Sequence, residues 1–149
     1  MKNINPYLHF KGNAEEAFNF YKSVFGGEFT MISHYKDIPS NVQQDENHPI
    51  SEKDAERILH MSLPIGKENM LMGGDCPSSL DSKMVVGDNV DLSINTESEE
   101  ETERLFNQLS QGGKVIMPLG RTFWNAYFGM LTDKFGINWM LSYEYSQKK

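Results

Sequence analysis

The sequence has a single cysteine, fewer basic than acidic residues and no long apolar run. Because Cys76 stands alone, no intramolecular disulfide can form, which fits a reducing compartment. The 14 Lys and Arg against 21 Asp and Glu give a net charge of −7, which argues against nucleic acid and anionic membrane surfaces as partners. No stretch could cross a bilayer, and the segment MKNINPYLHF lacks the apolar core of a signal peptide. We expect a cytoplasmic protein with neither nucleic acid nor membrane as a partner.

Motifs for nucleotide and metal sites are also missing. No glycine-rich loop joins a strand to a helix, as a nucleotide-like methyl donor would require, and no alternation of strands and helices builds a doubly wound sheet. The histidines lie on separate segments without the short spacing of a motif such as HExxH. They are His9, His34, His48 and His60. The sequence therefore predicts no cofactor.

The sequence does contain a clear order of strands and helices. Its 149 residues suit one globular domain, residues 1–149, with a sizeable core. Tyr7–Phe10 predicts a short strand whose first and third side chains face one side and whose second and fourth face the other. Asn13 with Glu16 forms a capping-box pattern before an amphipathic helix, which Gly26-Gly27 ends. Glu28–Lys36 predicts a second strand.

A long polar segment and two more strands complete the first half. Asp37–Arg57 shows no periodicity and predicts a surface loop, with a helical turn near Ser51–Arg57. Loops of this length are usually lids, binding loops or disordered segments. Ile58–Pro64 and Asn69–Gly73 predict strands. Residues 76–87 are rich in turn formers and predict a connector.

The second half begins with the same order. Val90, Leu92 and Ile94 alternate with polar residues and predict a half-buried strand. Ser98 and Glu101 give a second capping box before another amphipathic helix. A second pair of glycines, residues 112–113, ends this helix as the first pair ended the other.

A β-hairpin is predicted within Met117–Leu141. Apolar and polar residues alternate on either side of a polar turn at Thr132–Gly136. With the preceding strand and helix, this hairpin completes a second strand-helix-strand-strand-strand unit. We therefore expect an α+β fold of two βαβββ repeats, residues 4–75 and 88–145.

Two groups of motifs, one around the first helix and one near the C-terminus, carry a family resemblance. They are Pro6-Tyr7-Leu8 with Phe10 and Gly12, Ala14-Glu15-Glu16-Ala17, Phe20-Tyr21, Phe25-Gly26-Gly27, Phe123-Trp124, Asp133, Phe135-Gly136 and Trp139. Together they resemble the PhnB-like branch of the vicinal-oxygen-chelate superfamily, which includes glyoxalase I, extradiol dioxygenases and bleomycin-resistance proteins. The resemblance covers nearly the whole chain and implies a mixed sheet with helices on one face. It does not fix the chemistry, because one fold hosts many functions.

The resemblance also indicates where a metal would be held. Metal-dependent members of the superfamily place one carboxylate or imidazole on each of four strands, and these ligands converge in the open cup of the sheet. The corresponding positions here are Tyr7 (or Pro6), Met72, Asn89 (or Val90) and Met140. None of them is His, Asp or Glu, which a divalent transition metal needs. The sequence therefore predicts no tightly bound metal in the cup.

Other side chains could replace the missing ligands. By strand alternation His9 and Asp91 would face the cup, where with His60 they could form a metal site of a new kind, or serve alone as acid–base groups. Lone histidines are more often packed or surface residues. Cys76, beside Asp75, is more simply a small buried residue than a reactive thiol, because a neighbouring carboxylate disfavours the thiolate.

Aromatic and methionine side chains predict a binding site instead. Trp124, Phe128, Met72 and Met140 would line the cup, while Arg121 at its rim would hold an anionic group. The alternative is that these side chains are core and Arg121 is a solvated charge. Trp139 is expected in the core, on the helix side of the sheet. The candidate ligand-binding residues are Tyr7, His9, Met72, Asp91, Arg121, Trp124, Phe128 and Met140.

Three functions are compatible with these features. The missing metal ligands favour a metal-free protein that binds a small, partly aromatic or anionic molecule. The alternative is an enzyme of the lyase or dioxygenase type that uses a metal or acid–base groups. Methyl transfer, which an old label of this family (3-demethylubiquinone methyltransferase) implies, is disfavoured because the chain lacks a site for the methyl donor. We expect a homodimer, since closed two-fold pairing is the commonest assembly of soluble proteins.

Overall fold

Two units, each with its own four-stranded sheet, make up the chain. The computed structural model describes residues 1–39 and 51–145. Unit 1 is Met1–Met84 and unit 2 is Val85–Lys149; that they form a single domain stays a prediction. No helix in the described ranges is long and apolar enough to span a membrane. Unit 1 contains β1 (Tyr7–Phe10), α1 (Ala14–Phe25), β2 (Met31–His34), β3 (Ile58–Ile65) and β4 (Asn69–Asp75), and unit 2 contains β5 (Leu92–Asn95), α2 (Glu99–Ser110), β6 (Lys114–Arg121), β7 (Ala126–Thr132) and β8 (Asn138–Glu144).

The two sheets have the same topology. Their strand orders are β1-β4-β3-β2 and β5-β8-β7-β6. In each sheet the first strand pairs in parallel with the fourth, and the remaining neighbours pair antiparallel. The predicted α+β fold of two βαβββ repeats is therefore confirmed. In both units a pair of glycines separates the helix from the second strand, as the sequence indicated.

Each helix covers one face of its own sheet. The buried residues of α1 recur at helical spacing and include Ala14, Ala17, Phe18, Tyr21 and Val24. The ring of Phe18 would lie 2.7 Å from a Cβ at Gly73, so a glycine in β4 lets the helix approach the strand closely. Phe18 has no exposed surface, and burying such a side chain contributes about 2 kcal/mol.

The N-terminus of α1 is capped by a residue that the sequence did not indicate. The predicted capping box is wrong, because Asn13 makes no side-chain cap hydrogen bond. Asp75, at the end of β4, accepts hydrogen bonds from the backbone N–H groups of Gly12 and Ala14, both at 2.9 Å. Its other oxygen accepts from Ile58 N–H at 2.9 Å. This buried carboxylate thereby joins the start of the helix to two strands.

Only the first of the two hydrogen bonds predicted for the capping box of α2 is formed. Ser98 Oγ accepts a hydrogen bond from Glu101 N–H at 3.0 Å. The Glu101 carboxylate accepts a hydrogen bond from Glu97 N–H at 3.2 Å. In a capping box it would accept one from the N–H of the next residue, Ser98. Three glutamates in the first turn also interact favourably with the positive end of the helix dipole.

The second and fifth strands are shorter than predicted. The strand predicted over Glu28–Lys36 is limited to β2, because Tyr35–Asp37 form a 3-10 turn. The Asp37 carboxylate accepts a hydrogen bond from His34 N–H at 2.8 Å and holds this turn. Val90 is exposed and precedes β5, whereas Leu92 and Ile94 are half-buried as expected. The helical turn predicted near residues 51–57 is confirmed, while the rest of the long loop, with His48, lies largely outside the described residues.

The outer strand β6 is irregular. It pairs only with β7, and its register shifts between Val115 and Met117 and again between Met117 and Gly120. Most of its side chains are exposed, including Val115, Ile116 and Met117. The β7–β8 hairpin beside it is confirmed as predicted, and it turns at residues 133–137.

Candidate functional site

The face of each sheet that lies opposite its helix is called here the open face. In unit 1, Leu8 and Phe10 are buried toward α1, and Tyr7 and His9 are exposed on the other side, as predicted. The register pairs Tyr7 with Met72, and Met72 with Ser62. Strand alternation then gives the remaining members. The open face of unit 1 carries Tyr7, His9, Met31, Ser33, His60, Ser62, Pro64, Met70, Met72 and Gly74.

Tyr7 and two histidines form a ring cluster on this face. The phenol ring lies 5.0 Å from the imidazole of His9 and 5.5 Å from that of His60, measured between centroids. Sequence reasoning considered His60 only as a metal ligand and missed this contact, although the alternation along β3 places it on the same face as Ser62. The cluster brings together aromatic surface and two imidazoles that can exchange hydrogen bonds with a ligand.

The Tyr7 ring is held in a fixed position. Its hydroxyl donates a hydrogen bond of 2.9 Å to the carbonyl oxygen of Leu59 in β3. A Cβ at Gly74 would lie 2.9 Å from the same hydroxyl oxygen, so the phenol passes over a glycine to reach its acceptor. Tyr7 thus bridges β1 and β3 across β4, and its 37% exposed surface forms part of the open face.

Two phenols of unit 1 remain protonated at neutral pH. Burial, with a smaller contribution from the charge of Asp75, raises the pKa of Tyr7. Burial also raises the pKa of Tyr35, followed by the effects of Cys76, Tyr7 and other nearby acidic groups. The Tyr35 hydroxyl donates a hydrogen bond of 2.7 Å to the Asp75 carbonyl oxygen. Both tyrosines therefore act as hydrogen-bond donors rather than as bases.

In unit 2 the open face is aromatic, thioether-lined and uncharged along its centre. The register pairs Phe128 with Ser142, Met130 with Met140, and Met140 with Ser93. Thr132 and Asn138 extend this face at one end, and Asn95 extends it along β5. The sequence-predicted Phe128 and Met140 therefore lie on one face. Asp91 precedes β5 and is exposed.

A row of three aromatic rings continues this face at the turn between β6 and β7. The ring centroids of Phe123 and Trp124 lie 4.9 Å apart, and those of Trp124 and Phe128 lie 5.7 Å apart. Phe123 is 97% exposed and Trp124 is 48% exposed. We call these three residues the aromatic row. Its large exposed area is unusual for a turn and is available for contact with another molecule.

The turn that carries the aromatic row is well defined. Thr122 Oγ1 accepts a hydrogen bond from Ala126 N–H at 3.1 Å, and Thr122 N–H donates to the Ala126 carbonyl oxygen at 2.9 Å. Asn125 takes φ = 63°, a conformation that asparagine adopts more readily than most residues. The two exposed rings are thus presented by a fixed backbone.

Arg121 contacts α2 rather than the aromatic row. Its guanidinium lies 3.6 Å from a carboxylate oxygen of Glu99 and 4.3 Å from the ring centroid of Tyr145. The Tyr145 hydroxyl donates a short hydrogen bond to the same glutamate. That hydrogen bond, followed by burial, raises the pKa of Tyr145. The structure therefore gives Arg121 an anionic partner within unit 2, and does not show it beside Trp124.

Cys76 belongs to a network of charged groups that the sequence did not reveal. Its half-buried thiol donates to an Asp81 carboxylate oxygen at 3.4 Å. Arg57 binds Asp81 through two N–H groups at 2.9 and 3.0 Å and lies 3.5 Å from buried Asp54. Burial, followed by the hydrogen bond to Asp81 and its charge, raises the pKa of the thiol. Cys76 is therefore held as a thiol.

The side chains at the superfamily's metal positions do not suit a divalent metal. Tyr7 offers a protonated phenol, and Met72 and Met140 offer thioethers. Over residues 1–39 and 51–145, no three His, Cys, Asp or Glu side chains come together in a way that could hold a metal ion. Divalent transition metals need imidazole, carboxylate or thiolate ligands in a closed set. The donor set thus does not fit the metal that the superfamily implies.

Comparison with known proteins identifies close relatives over almost the full length. The chain is 30% identical over 141 residues to protein YjdN of Escherichia coli (strain K12), with 93% of each chain covered. The crystal structure of protein PA1353 from Pseudomonas aeruginosa is 37% identical, with a TM-score of 0.76 and coverage of 95% of this chain and 97% of that one. The PhnB protein from Bacillus cereus is 32% identical, with a TM-score of 0.74 and coverage of 95% and 98%.

More distant structures share the fold alone. A glyoxylase/bleomycin resistance protein/dioxygenase domain from Frankia sp. EAN1pec has a TM-score of 0.65 at 9% identity, over 97% of this chain and 99% of that one.

The family model described as 3-demethylubiquinone-9 3-methyltransferase matches residues 2–142. The resemblance found in the sequence motifs is therefore confirmed. The chain belongs to this family, the PhnB-like branch of the vicinal-oxygen-chelate superfamily.

Proposed function

We propose that this chain binds a small, partly aromatic or anionic molecule and does so without a divalent metal. The observation that carries the proposal is the aromatic row, in which Trp124 is half-exposed beside the ring of Phe128. Aromatic rings held on a fixed backbone stack on a flat ligand without losing much side-chain freedom. Met130 and Met140 lie on the same open face, and their polarizable side chains adapt to ligands of irregular shape.

Polar side chains on both open faces supply hydrogen bonds. In unit 2, Ser93, Asn95 and Ser142 stand beside the thioethers. In unit 1, Tyr7 and His9 stand beside Met72. Ligand sites of proteins are typically apolar surfaces with a few polar groups of this kind that fix the orientation of the ligand. The candidate binding residues that support this proposal are Tyr7, His9 and Met72 in unit 1 and Trp124, Phe128 and Met140 in unit 2.

The enzymatic alternatives receive less support. The name of the matching family model refers to methyl transfer. However, nucleotide-like methyl donors bind at the carboxyl ends of parallel strands in doubly wound sheets, and within the described residues each sheet has only one parallel pairing. A metal-dependent lyase or dioxygenase would need the ligands that Tyr7, Met72 and Met140 do not provide. We therefore favour binding over catalysis.

Assembly and location complete the proposal. We infer a homodimer in the cytoplasm, since closed two-fold pairs are the commonest assembly of soluble proteins and a single cysteine allows no intramolecular disulfide. Sedimentation of the purified protein at micromolar concentration should give the mass of a dimer. If sedimentation showed only monomer, the proposed dimer would be wrong. The binding proposal would be unaffected, because a separate experiment tests it.

The binding test begins with a thermal-shift screen of aromatic metabolites and drugs against protein freed of metal by a chelator. For a compound that raises the melting temperature, Trp124→Ala should weaken binding about thirtyfold or more, because truncation of a central aromatic residue typically costs about 2 kcal/mol. The melting temperature without ligand should change little. Equal binding by wild type and Trp124→Ala would overturn the assignment of the aromatic row.

Trp139→Ala is the matched contrast. This indole is 1% exposed, so its truncation should leave a cavity and lower the melting temperature. If Trp124→Ala destabilised the protein as much as Trp139→Ala, Trp124 would be a core residue. If binding required added zinc, nickel, iron or manganese, the metal-free part of the proposal would be wrong.

A further inference from the structure

We infer that His9 and His60, beside Tyr7 on the open face of unit 1, bind the anionic group of a planar aromatic ligand through their imidazoles. They would have the role that the sequence suggested for Arg121. The inference rests on the proposed function and assigns a chemical class to its ligand, an aromatic acid. It also adds His60 to the candidate binding residues.

The first argument is that both imidazoles are available. In the part of the chain that the structure describes, His9 and His60 contact the Tyr7 ring, and neither makes a hydrogen bond or an ion pair. His9 is exposed and His60 is half-buried. By contrast, the ring of His34 lies 3.6 Å from the carboxylate of Asp37. The two histidines of the cluster thus present N–H donors that a carboxylate, sulfonate or phosphate could accept from.

The second argument is the charge of the surroundings. The strand residues that share this face are Tyr, Ser, Met, Pro and Gly, so no carboxylate on the strands competes with a bound anion. The charge of Asp75 reaches Tyr7, but its carboxylate serves the other face, where its oxygens accept three backbone N–H groups. The Tyr7 hydroxyl is committed to Leu59. The two imidazoles are therefore donors that remain available to a ligand.

The third argument is that Arg121 already has a partner. Its guanidinium lies 3.6 Å from a Glu99 carboxylate oxygen and 4.3 Å from the centroid of the Tyr145 ring, and both groups attract a cation. An anionic ligand would have to compete with Glu99 for it. The planar part of the ligand has a surface in unit 1 as well, because Tyr7 is fixed across Gly74 with Met72 beside it. Unit 1 therefore offers a surface for an aromatic acid in addition to the aromatic row of unit 2.

The test compares two fluorescent probes that share an aromatic body. One is 1-anilinonaphthalene-8-sulfonate, and the other is N-phenyl-1-naphthylamine, which lacks the sulfonate. Wild-type protein at pH 6 should bind the sulfonate about tenfold or more tightly than the neutral probe, as expected for charge-assisted hydrogen bonds. The double variant His9→Asn, His60→Asn should lose this preference and bind the two probes about equally.

Two control variants separate the alternatives. Arg121→Gln and His34→Asn should both keep the preference for the sulfonate. A preference that survives in the double histidine variant, or one that Arg121→Gln abolishes, would overturn the inference. So would the absence of any preference in wild-type protein.

A measurement on the unmodified protein covers the case in which the double variant fails to fold. Addition of the sulfonate probe should shift the imidazole NMR signals of His9 and His60 and leave those of His34 unchanged. Unmoved signals at saturating probe would refute the inference. If instead no aromatic compound bound at all, the proposed function itself would fail. If binding depended on Trp124 but the two probes bound equally well, only the assignment of the histidines would be overturned.

Discussion

The indole N–H of Trp139 donates a hydrogen bond of 2.9 Å to the carboxylate of Asp133, and both side chains are buried. The other oxygen of Asp133 accepts from the backbone N–H groups of Phe135 and Ile137 at 2.8 and 3.0 Å. One carboxylate thus holds the β7–β8 turn and fixes the largest buried side chain of unit 2.

Replacement of Asp133 should be strongly destabilising. Asp133→Ala leaves three N–H donors without this acceptor, one of them the buried indole of Trp139, so the free energy of unfolding should fall by about 3 kcal/mol or more. Trp139→Phe removes only one of the three donors and should cost less, about 1–2 kcal/mol. Urea denaturation of both variants measures the difference. Equal losses would mean that the turn does not depend on the carboxylate.

Gly74 should not tolerate a side chain. A Cβ there would lie 2.6 Å from the Leu59 carbonyl oxygen and 2.9 Å from the Tyr7 hydroxyl. Gly74→Ala should therefore displace the phenol and lower stability by about 1–3 kcal/mol. Gly120→Ala is the matched control, because a Cβ at Gly120 meets nothing within 4 Å and should change stability by less than about 0.5 kcal/mol. Thermal melts that rank the two variants in the opposite order would contradict the observed packing of Tyr7.

The two helix caps should differ in importance. Asp75→Ala removes the acceptor of three backbone N–H groups and should cost about 3 kcal/mol or more. Ser98→Ala removes an N-cap that accepts one N–H and should cost about 1 kcal/mol. Hydrogen exchange should show faster exchange at Gly12, Ala14 and Ile58 in the first variant only. Similar costs for the two substitutions would mean that Asp75 acts only as an ordinary cap.

The Arg57 network should make the protein sensitive to acid. Burial alone would raise the pKa of Asp54, but hydrogen bonds from Ser78 and Ser51 and the charge of Arg57 outweigh it and hold the pKa below the ordinary value. The hydrogen bonds from Arg57 likewise lower the pKa of Asp81. Since both folded-state pKa values lie below those of the unfolded chain, about 3.9, their stabilisation is complete above about pH 5 and is lost as pH falls through the folded values.

Melting temperatures measured between about pH 6 and pH 2 test this acid sensitivity. Asp81→Asn should lower the melting temperature at neutral pH and make its decline in acid shallower, because one of the titrating groups is gone. A decline identical to that of wild type would show that Asp81 does not contribute.

Local patterns were sufficient to predict most of the fold. The spacing of apolar residues and the glycine pairs placed α1 and α2, and alternation along Tyr7–Phe10 identified its exposed and buried sides. The cap of α1 could not be predicted because Asp75 is 61 residues away from Ala14 in the sequence. Asn13 had the right residue type locally, but a buried carboxylate on β4 supplies the acceptor instead.

The candidate site was harder to predict for the same reason. The contact of Tyr7 with His60 depends on which strands are neighbours and on their register, and neither can be read from a single strand. Arg121 stands three residues before Trp124, yet its partners Glu99 and Tyr145 are distant in the sequence. The sequence alone therefore could not reveal these partners of Arg121.

The irregular outer strand β6 has a consequence for solubility. A straight, apolar edge strand is a template on which strands of other chains add, and this is how many β proteins aggregate. Val115, Ile116 and Met117 would make such a template, but the two register shifts interrupt the strand, and Pro118 has no N–H to offer an incoming one. The irregularity of β6 thus makes this apolar edge a poor template for the addition of another strand.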